Sequence, residues 1–368
     1  MINRQLVRHI DWVLIGILLL NSIIGVAFIY SCSHYLPGNY YLKQIFWIFI
    51  SLIALFLFLF FDYHFLADYS YLMYGLLIST LCGILVFGKL VAGTKSWIRF
   101  PFFQIQPSEI TKVVVILVLA RYFSKRQKEL LSFTDLIISG VLFLLPVFLI
   151  ALQPDLGTAL SFLPIYLGAI ILGGINKKFI LFLLIFSMLF GFVGWKYFLK
   201  DYQKTRLTTL VSPNKDPLGA GYHIIQSKIA IGSGGVIGKG YKKGTQSQLR
   251  FLPARHTDFI FSVIGEEFGF IGVIAIILTY ALFVFRLFHS AFMSRDRVGI
   301  YIVFMVSMMI TCQFFINVLM TIGFLPVAGI PLPLISYGGS SLLANYLAVS
   351  LVLNVKMRRF VNISQIIR

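Results

Sequence analysis

Apolar stretches of about twenty residues recur from one end of this chain to the other, and a helix of that length crosses a ~30 Å hydrocarbon core. Of the 368 residues, 59% are hydrophobic and only 12% are charged, so most of these stretches have no face suited to water. Because lipid cannot satisfy unpaired backbone groups, each stretch must form a helix. The sequence predicts an all-α, polytopic integral membrane protein, a single domain over 1–368 with about ten transmembrane helices, at 11–31, 43–61, 66–88, 107–123, 134–152, 154–174, 178–199, 259–285, 299–323 and 336–355.

Short connections on one predicted face of the bundle carry clusters of Lys and Arg, which the positive-inside rule assigns to the cytoplasm. Ten crossings place both termini on that face, so the predicted location is the cytoplasmic (inner) membrane. The first segment is expected to be retained, because its apolar run is too long for a signal peptide and no convincing cleavage site follows. The clusters are Arg4 and Arg8; Arg121, Lys125, Arg126 and Lys128; Lys177 and Lys178; Arg286, Arg295 and Arg297; and Lys356, Arg358 and Arg359.

The net charge of +18 does not indicate a nucleic-acid partner, because more than half of the basic residues serve topology or lie near helix ends. Cys32, Cys82 and Cys312 lack the spacing of a metal site. Composition therefore argues against nucleic-acid binding, and the cysteines say little about function.

One connection is long, from about 200 to 258, and lies on the outer face by the parity of the crossings. Its excess of basic residues suits anionic membrane lipids, a phosphate-bearing substrate, or both. Residues 222–231 are apolar at helical spacing but too short to span, which predicts a short interfacial or re-entrant helix. The glycine-rich stretch 232–240 matches no nucleotide motif and favours either backbone N–H groups converging on an anion or simple tight turns.

Asp258 stands where this loop meets the eighth segment, and a lone carboxylate at a membrane boundary is a functional candidate. The alternative is an N-cap of that helix, which Asn, Ser or Thr could equally supply. Glu266 lies eight positions on, near the same helical face. Asp258 is the predicted catalytic residue, and Glu266 is the candidate for supporting it.

Other candidates lie on the remaining outer loops. Glu109 and Lys112 are three apart and can pair on one helical face, either lining a polar cavity or forming a structural ion pair. Asp155 follows a proline in a turn, where it is a site residue or a cap. Trp97, near Arg99, suits a ligand platform or an interfacial anchor.

An apolar, proline-stiffened stretch at 326–335 precedes small hydroxyl residues that include Ser340. Irregular apolar backbone at membrane depth lines a cavity or is buried in protein. This stretch suits one wall of a groove for a lipid tail.

No catalytic triad, HExxH motif or nucleotide loop is present, so a carboxylate beside cations is the remaining chemistry. Asp258 can deprotonate a sugar hydroxyl while Arg255, His256 and the loop cations stabilise a departing lipid diphosphate. One positioned base suffices for a single displacement with inversion. The sequence therefore predicts glycosyl transfer from a lipid-linked donor.

Several strings, in order along nearly the whole chain, resemble the SEDS family, and its rod-shape-determining branch more than its division branch. The strings are Gly-Thr-Lys-Ser-Trp-Ile (93–98), Gln-Pro-Ser-Glu (106–109), Gln-Pro-Asp-Leu-Gly-Thr (153–158), Asp-Pro-Leu-Gly-Ala-Gly-Tyr-His-Ile-Ile-Gln-Ser (216–227), His-Thr-Asp-Phe-Ile-Phe (256–261) and Ser-Tyr-Gly-Gly-Ser-Ser (336–341). Ala254 departs from the family, which usually has Glu there.

The resemblance implies a ten-helix peptidoglycan glycosyltransferase that polymerises lipid II on the outer face of the cytoplasmic membrane. It implies a class B penicillin-binding protein as transpeptidase partner, and we also expect contact with other elongation-complex membrane proteins and membrane lipids. By motif position, the resemblance implies that Asp258 is the family's catalytic acidic residue. The residues expected to contact substrate are Trp97, Arg99, Glu109, Lys112, Asp155, Gln226, Lys239, Arg255, His256, Glu266 and Ser340.

Two other function classes stay open. Charges near membrane depth also suit a transporter that flips lipid II, and a non-catalytic scaffold for cell-wall enzymes would tolerate loss of Asp258. No cofactor is required by the predicted chemistry, although Mg²⁺ or Mn²⁺ could assist it.

Overall fold

The computed structural model of the chain describes residues 8–88, 95–100, 103–126, 130–174, 204, 208–209 and 219–359. The predicted segment at 178–199 lies outside these residues. The described elements are α1 Trp12–Ser33, α2 Tyr40–Phe60, α3 Tyr63–Asp68, α4 Ser70–Phe87, β1 Ile98–Arg99, β2 Gln104–Ile105, α5 Pro107–Ser124, α6 Phe133–Leu152, α7 Leu156–Leu160, α8 Leu163–Leu172, α9 Ala220–Ser233, α10 Thr245–Gln248, α11 Ile260–Phe292, α12 Arg297–Thr321 and α13 Gly339–Arg358.

Seven of these helices are long and apolar enough to cross a membrane: α1, α2, α4, α6, α11, α12 and α13. Helix α5 has 18 residues and carries the charges of Glu109, Lys112 and Arg121 within that length. The predicted helical membrane bundle is confirmed, and nine of its predicted segments correspond to described helices.

The predicted segment 154–174 is a broken helix rather than a continuous one. Helix α7 ends at Leu160, α8 begins at Leu163, and Pro164 lies in the first turn of α8. Proline has no N–H to donate and is best accommodated in the first turn of a helix. Ser161 Oγ donates to Thr158 O at 2.6 Å and serves a carbonyl at the break.

Helices α5 and α13 form the centre of the bundle. Residues 113–120 of α5 are all buried, and 83% of the apolar window of α13 is buried, compared with 22% for α11. A helix that is apolar all round lies inside a large bundle or against lipid. Helix α13 packs against α2, α5 and α12, whereas α11 keeps a broad apolar surface for lipid or another helix.

One end of the bundle, the basic face, holds the first and last described helical ends together. Asp11 caps α1 by accepting from Leu14 N at 3.1 Å. Its carboxylate also pairs with Lys356 of α13 and lies 3.8 Å from Arg286 of α11. Both ends of the described chain therefore lie at the same face.

The second ionic group of the basic face surrounds His64 on α3. Its Nδ1 lies 3.0 Å from Asp62 and its Nε2 lies 3.3 Å from Asp296, which also caps α12. Hydrogen bonds to Asp296 and Asp62 raise the pKa of His64 to about 9, so the ring is a cation at neutral pH. Asp62 pairs in turn with Arg358 at 3.2 Å.

The opposite end, the loop face, contains the strand pair of residues 95–100 and 103–105, called the hairpin, the loop 234–259 and the segment 325–338. Helix α11 is kinked here, because Gly269 has φ 61° and ψ −156°. The N–H groups of Phe270 and Ile271 donate to Gly235 O and Val236 O at 2.9 and 3.2 Å. The loop therefore supplies acceptors that the kinked helix does not.

The loop also donates hydrogen bonds to the helix. Lys239 N and Gly240 N donate to the carbonyls of Glu266 and Glu267 at 3.1 and 2.9 Å. A Cβ on Gly238 would clash with Glu267 O, and one on Gly269 would clash with Gly238 N. Close packing against the kink accounts for the glycine-rich stretch. The hypothesis that these N–H groups converge on an anion is wrong for Lys239 and Gly240, whose N–H groups donate to the helix.

Candidate functional site

Asp258 lies in the tight turn that leads into α11. The N–H groups of Thr257 and Phe259 both donate to Ala254 O, at 3.1 and 3.3 Å, and Ala254 has a left-handed φ of 47°. The N-cap position of α11 is Phe259, with no side-chain cap bond. Asp258 is half-buried, so its carboxylate is neither sealed in the bundle nor fully in water.

The backbone around Asp258 is held against the segment after α12. Asn317 of α12 donates from Nδ2 to Asp258 O at 2.9 Å and to Ile330 O at 2.8 Å. Ser336 Oγ donates to Thr257 O, and Tyr337 N donates to His256 O at 2.8 Å. These bonds set the 256–258 turn beside the apolar stretch predicted to line a groove.

Two glycines bring this stretch against Asp258 and against the turn of Asp155. A Cβ on Gly329 would lie 4.0 Å from Asp258 Oδ2, and one on Gly157 would clash with Ala328 O. Asp155, two residues before Gly157, caps α7 by accepting from Thr158 N at 3.1 Å. Asp258 and Asp155 therefore flank the same backbone segment.

A polar cluster continues from Asp155 into the bundle, formed by Gln106, Glu109, Lys112, Asp155 and Ser340. Gln106 donates from Nε2 to Asp155 and from its backbone N to Ser340 Oγ at 2.9 Å. Lys112 Nζ and Glu109 Oε2 are 2.8 Å apart, and the residues are only 3% and 5% exposed. The charges of Glu109 and Lys112 reach Asp155, so this cluster is one electrostatic unit.

A buried ion pair in a membrane bundle is costly and usually marks a functional cavity. The pair occurs here at the start of α5, where Pro107 opens the helix and Glu109 lies in its first turn. The pairing of Glu109 with Lys112 is as the sequence predicts, and the structure adds Asp155 and Ser340 to it through Gln106.

Trp97 and Arg99 lie on the hairpin that covers this end of the bundle. Strands β1 and β2 pair Ile98 with Ile105 and Arg99 with Gln104. Ser340 Oγ lies 3.5 Å from Gln104 O, which joins the hairpin to the polar cluster. Trp97 is half-buried, whereas Arg99 and its neighbour Phe100 are exposed.

Three other predicted residues bond to protein groups instead of joining the cluster. Arg255 is 6% exposed, donates from Nε to Cys32 O at 2.9 Å and covers the Tyr35 ring. Lys239 Nζ lies 2.8 Å from Glu266 Oε1. Arg255 therefore anchors the outer loop to α1, and the Lys239–Glu266 pair anchors it to α11.

Glu266 also accepts from the first turn of α10. The N–H groups of Gln246 and Ser247 donate to its carboxylate at 2.8 and 3.1 Å, and it is fully buried. Gln226 is half-buried on α9. Helix α9 includes residues 222–231, which the sequence predicts to be helical. Its neighbour Ser227 donates to Thr321 O at 2.6 Å and fixes α9 to α12.

His256 is not the cation that the sequence interpretation assumed. Its ring lies 4.6 Å from the Tyr40 ring and 5.8 Å from the Tyr337 ring, centroid to centroid. Burial, with a smaller effect from the Arg255 charge, lowers the pKa of His256 to about 4. The imidazole is therefore neutral at neutral pH and packs as an aromatic ring.

Asn317 was missed by sequence reasoning, although a signal existed. A single Asn inside an apolar spanning helix is costly and usually has a polar partner or a function. No motif drew attention to it. A metal site was also considered, and among the described residues no group of three or more His, Cys, Asp or Glu is arranged to hold one.

Comparisons with known proteins identify relatives of this chain. The peptidoglycan glycosyltransferase MrdB of Escherichia coli strain K12 is 39% identical over 287 residues, covering 78% of this chain and 77% of that protein. The peptidoglycan glycosyltransferase RodA of Treponema pallidum is 35% identical over an alignment of 430 residues, covering 96% of this chain and 99% of that protein.

Two solved structures have a similar fold. The rod shape determining protein RodA of Thermus thermophilus superposes with a TM-score of 0.72 at 28% identity, covering 96% of this chain and 98% of that one. A chain from work on the structural coordination of polymerization and crosslinking by a peptidoglycan synthase complex gives a TM-score of 0.82 at 32% identity, covering 96% of this chain and 99% of that one.

A family model described as cell cycle protein, and named for FtsW, RodA and SpoVE, matches residues 11–360. This range contains every described helix, the Asp258 turn and the polar cluster. The resemblance to the SEDS family is confirmed, and the chain belongs to the FtsW, RodA and SpoVE family of cell cycle proteins.

Proposed function

We propose that this chain is a peptidoglycan glycosyltransferase that polymerises lipid II at the outer face of the cytoplasmic membrane. The observation that carries the proposal is the half-buried Asp258 at the loop face, held by backbone bonds beside an apolar segment and a buried polar cluster. The names of the relatives, peptidoglycan glycosyltransferases MrdB and RodA, support the same activity.

In the proposed reaction, Asp258 accepts the proton of an acceptor sugar hydroxyl. The hydroxyl oxygen then attacks the anomeric carbon of the donor, the bond to the lipid diphosphate breaks, and the configuration inverts. A positioned general base contributes about 10²- to 10⁴-fold to such a step. The released lipid diphosphate carries away the electron pair of the broken bond.

The departing diphosphate needs positive charge near it. Lys239, Arg255 and Lys112 are all bound to protein groups, namely Glu266, Cys32 O and Glu109. Arg99 is exposed and is the better candidate among the predicted cations, with Lys112 reaching the diphosphate only if its pair with Glu109 opens. Lys112 belongs to the polar cluster and Arg99 lies on the hairpin above it. The apolar stretch 326–335 would hold the prenyl tail.

The proposed partner is a class B penicillin-binding protein that crosslinks the new strands. The solved chain from a peptidoglycan synthase complex, which couples polymerization to crosslinking, supports a partner of this kind. The broad apolar surface of α11 is available for a helix from another membrane protein or for lipid. In this orientation the basic face lies in the cytoplasm, as the positive-inside rule predicts.

A second candidate function is transport of lipid II between leaflets, which the buried Glu109–Lys112 pair inside the bundle favours. Purified chain in detergent separates the two functions, since detergent micelles have no leaflets. With lipid II and the partner present, we expect glycan strands in detergent, measured by gel separation of labelled polymer. If lipid II moves across vesicle membranes and no polymer forms in detergent, the glycosyltransferase proposal is wrong.

A further inference from the structure

We propose that Asn317 is a positioning residue for Asp258, an inference that rests on the proposed glycosyltransferase function. Its side-chain amide joins the turn that carries Asp258 to the segment that faces the carboxylate. Asn317 lies on α12, is fully buried, and donates from Nδ2 to Asp258 O at 2.9 Å and to Ile330 O at 2.8 Å.

The Asp258 carbonyl that accepts from Asn317 lies just outside the helical ladder of α11. In a regular helix the N–H of Ser262 would donate to the carbonyl of Asp258, four residues earlier. Here Ser262 N donates to Phe259 O at 3.0 Å. A carbonyl at the mouth of a bundle is costly to leave unpaired, and α12 supplies the donor from across the site.

The chemistry of the two partners explains why the residue is Asn. Both partners are carbonyl oxygens, so the group between them must carry two hydrogens. A primary amide has two N–H donors, whereas a hydroxyl has one and a carboxylate has none. This requirement also fixes the orientation of the amide, because Oδ1 cannot face two acceptors.

The carbonyl oxygen of the Asn317 amide shows that placing Asn here costs stability. Within the described part of the chain, the buried Oδ1 of Asn317 has no hydrogen-bond partner. Burying an unpaired acceptor destabilises a fold, so an apolar residue would pack here more favourably if the two carbonyls did not have to be held. At this position the cost is offset by the two carbonyls that the amide holds.

The geometry in question is the position of the carboxylate against Gly329. A Cβ on Gly329 would lie 4.0 Å from Asp258 Oδ2, and Ile330, the next residue, accepts the second bond of Asn317. One amide thus ties together the two backbones whose separation sets the space beside the carboxylate. A shift of about 1 Å in such a position can lower a rate roughly 100-fold.

The test compares Asn317→Leu and Asn317→Asp with a matched control, Asn354→Leu. Asn354 is also buried on a helix and also donates from Nδ2 to two carbonyls, those of Phe58 and Phe61, but at the basic face. Each variant is purified as the full chain with its transpeptidase partner. The measurements are kcat and KM for lipid II polymerisation and the thermal midpoint in detergent.

We expect both Asn317 variants to lower kcat about 100-fold while KM for lipid II changes no more than about twofold. Asn354→Leu should lower the thermal midpoint at least as much, because it also removes the bond from Arg358 Nε to Asn354 Oδ1. It should keep kcat within about twofold, because its bonds are remote from Asp258. Asn317→Asp keeps the volume of the side chain and removes the donor, so it decides the question if Asn317→Leu does not fold.

The inference is overturned if the Asn317 variants lose no more kcat than Asn354→Leu, or if their loss lies in KM alone. The unaltered chain and Asp258→Asn are assayed in parallel. If the unaltered chain makes no polymer, or Asp258→Asn makes as much as it does, both proposals fall. If these two behave as proposed and Asn317 matches its control, only the positioning inference is wrong.

Discussion

At the scale of single residues, His256 and Asp258 lie two positions apart and have different chemical environments. Asp258 is half-buried beside Gly329, whereas His256 is packed between aromatic rings and is neutral. The sequence predicted the importance of Asp258, because a carboxylate at a membrane boundary is unusual. It could not predict the neutral His256, because Tyr40 and Tyr337 come from distant parts of the chain.

A ring without charge should be replaceable by another ring. We expect His256→Phe to keep polymerisation within about threefold of the parent, since Phe preserves ring packing worth about 0.5–1.5 kcal/mol per pair. Within the described residues the buried Nδ1 of His256 has no hydrogen-bond partner, so little is lost there. His256→Ala is the control and should lower the thermal midpoint. A rate for His256→Phe as low as that of Asp258→Asn would contradict the neutral, packing role.

At the scale of elements, the glycine-rich loop and the kink of α11 form one unit. The sequence showed the glycines, and both interpretations offered for them, an anion site and tight turns, were local. Their actual partners are Gly269 and the carbonyls of Glu266 and Glu267. These lie about thirty residues further along the chain, which is beyond the reach of a local sequence pattern. Such pairing depends on tertiary contact and could not be predicted from spacing.

Substitutions at three glycines of this region distinguish the cost of a positive φ from the cost of a steric clash. Gly238 has φ 86° and no room for a Cβ, Gly235 has φ 56° with open space, and Gly232 is in α9 with open space. We expect Gly232→Ala to raise stability by about 0.5–1 kcal/mol, and Gly235→Ala to lower it by about 1–2 kcal/mol. Gly238→Ala should cost about 3 kcal/mol or more. Thermal unfolding in detergent measures all three, and equal midpoints for Gly238→Ala and Gly235→Ala would contradict the packing account.

At the scale of the whole molecule, hydropathy was enough to predict the bundle. Helices correspond to nine of the predicted segments, because a membrane admits few alternatives to a helix. The break between α7 and α8 could have been predicted from Pro164, which lies in the first turn of α8. The polar cluster was harder still: its members come from the start of α5, the turn before α7 and the start of α13, and only packing shows that they meet.

The two faces of the bundle are built differently. At the basic face, Asp11, Asp62 and His64 form ion pairs that join helix ends. At the loop face, Asn317, Ser336 and backbone groups hold the Asp258 turn. The loop face also contains ion pairs, Lys239 with Glu266 and Lys112 with Glu109, so hydrogen bonds hold the turn itself and ion pairs hold parts of its surroundings.

The central claim is that the Asp258 carboxylate is the proton acceptor, and replacing it by an amide tests this most directly. Asp258→Asn keeps the shape and removes the base, so polymerisation of lipid II with the partner present should fall about 100-fold or more. Asp68→Asn makes the same change at the basic face, where the side chain is 66% exposed and 3.4 Å from Arg121, and should leave the rate unaltered. A rate for Asp258→Asn close to that of the parent would contradict the account.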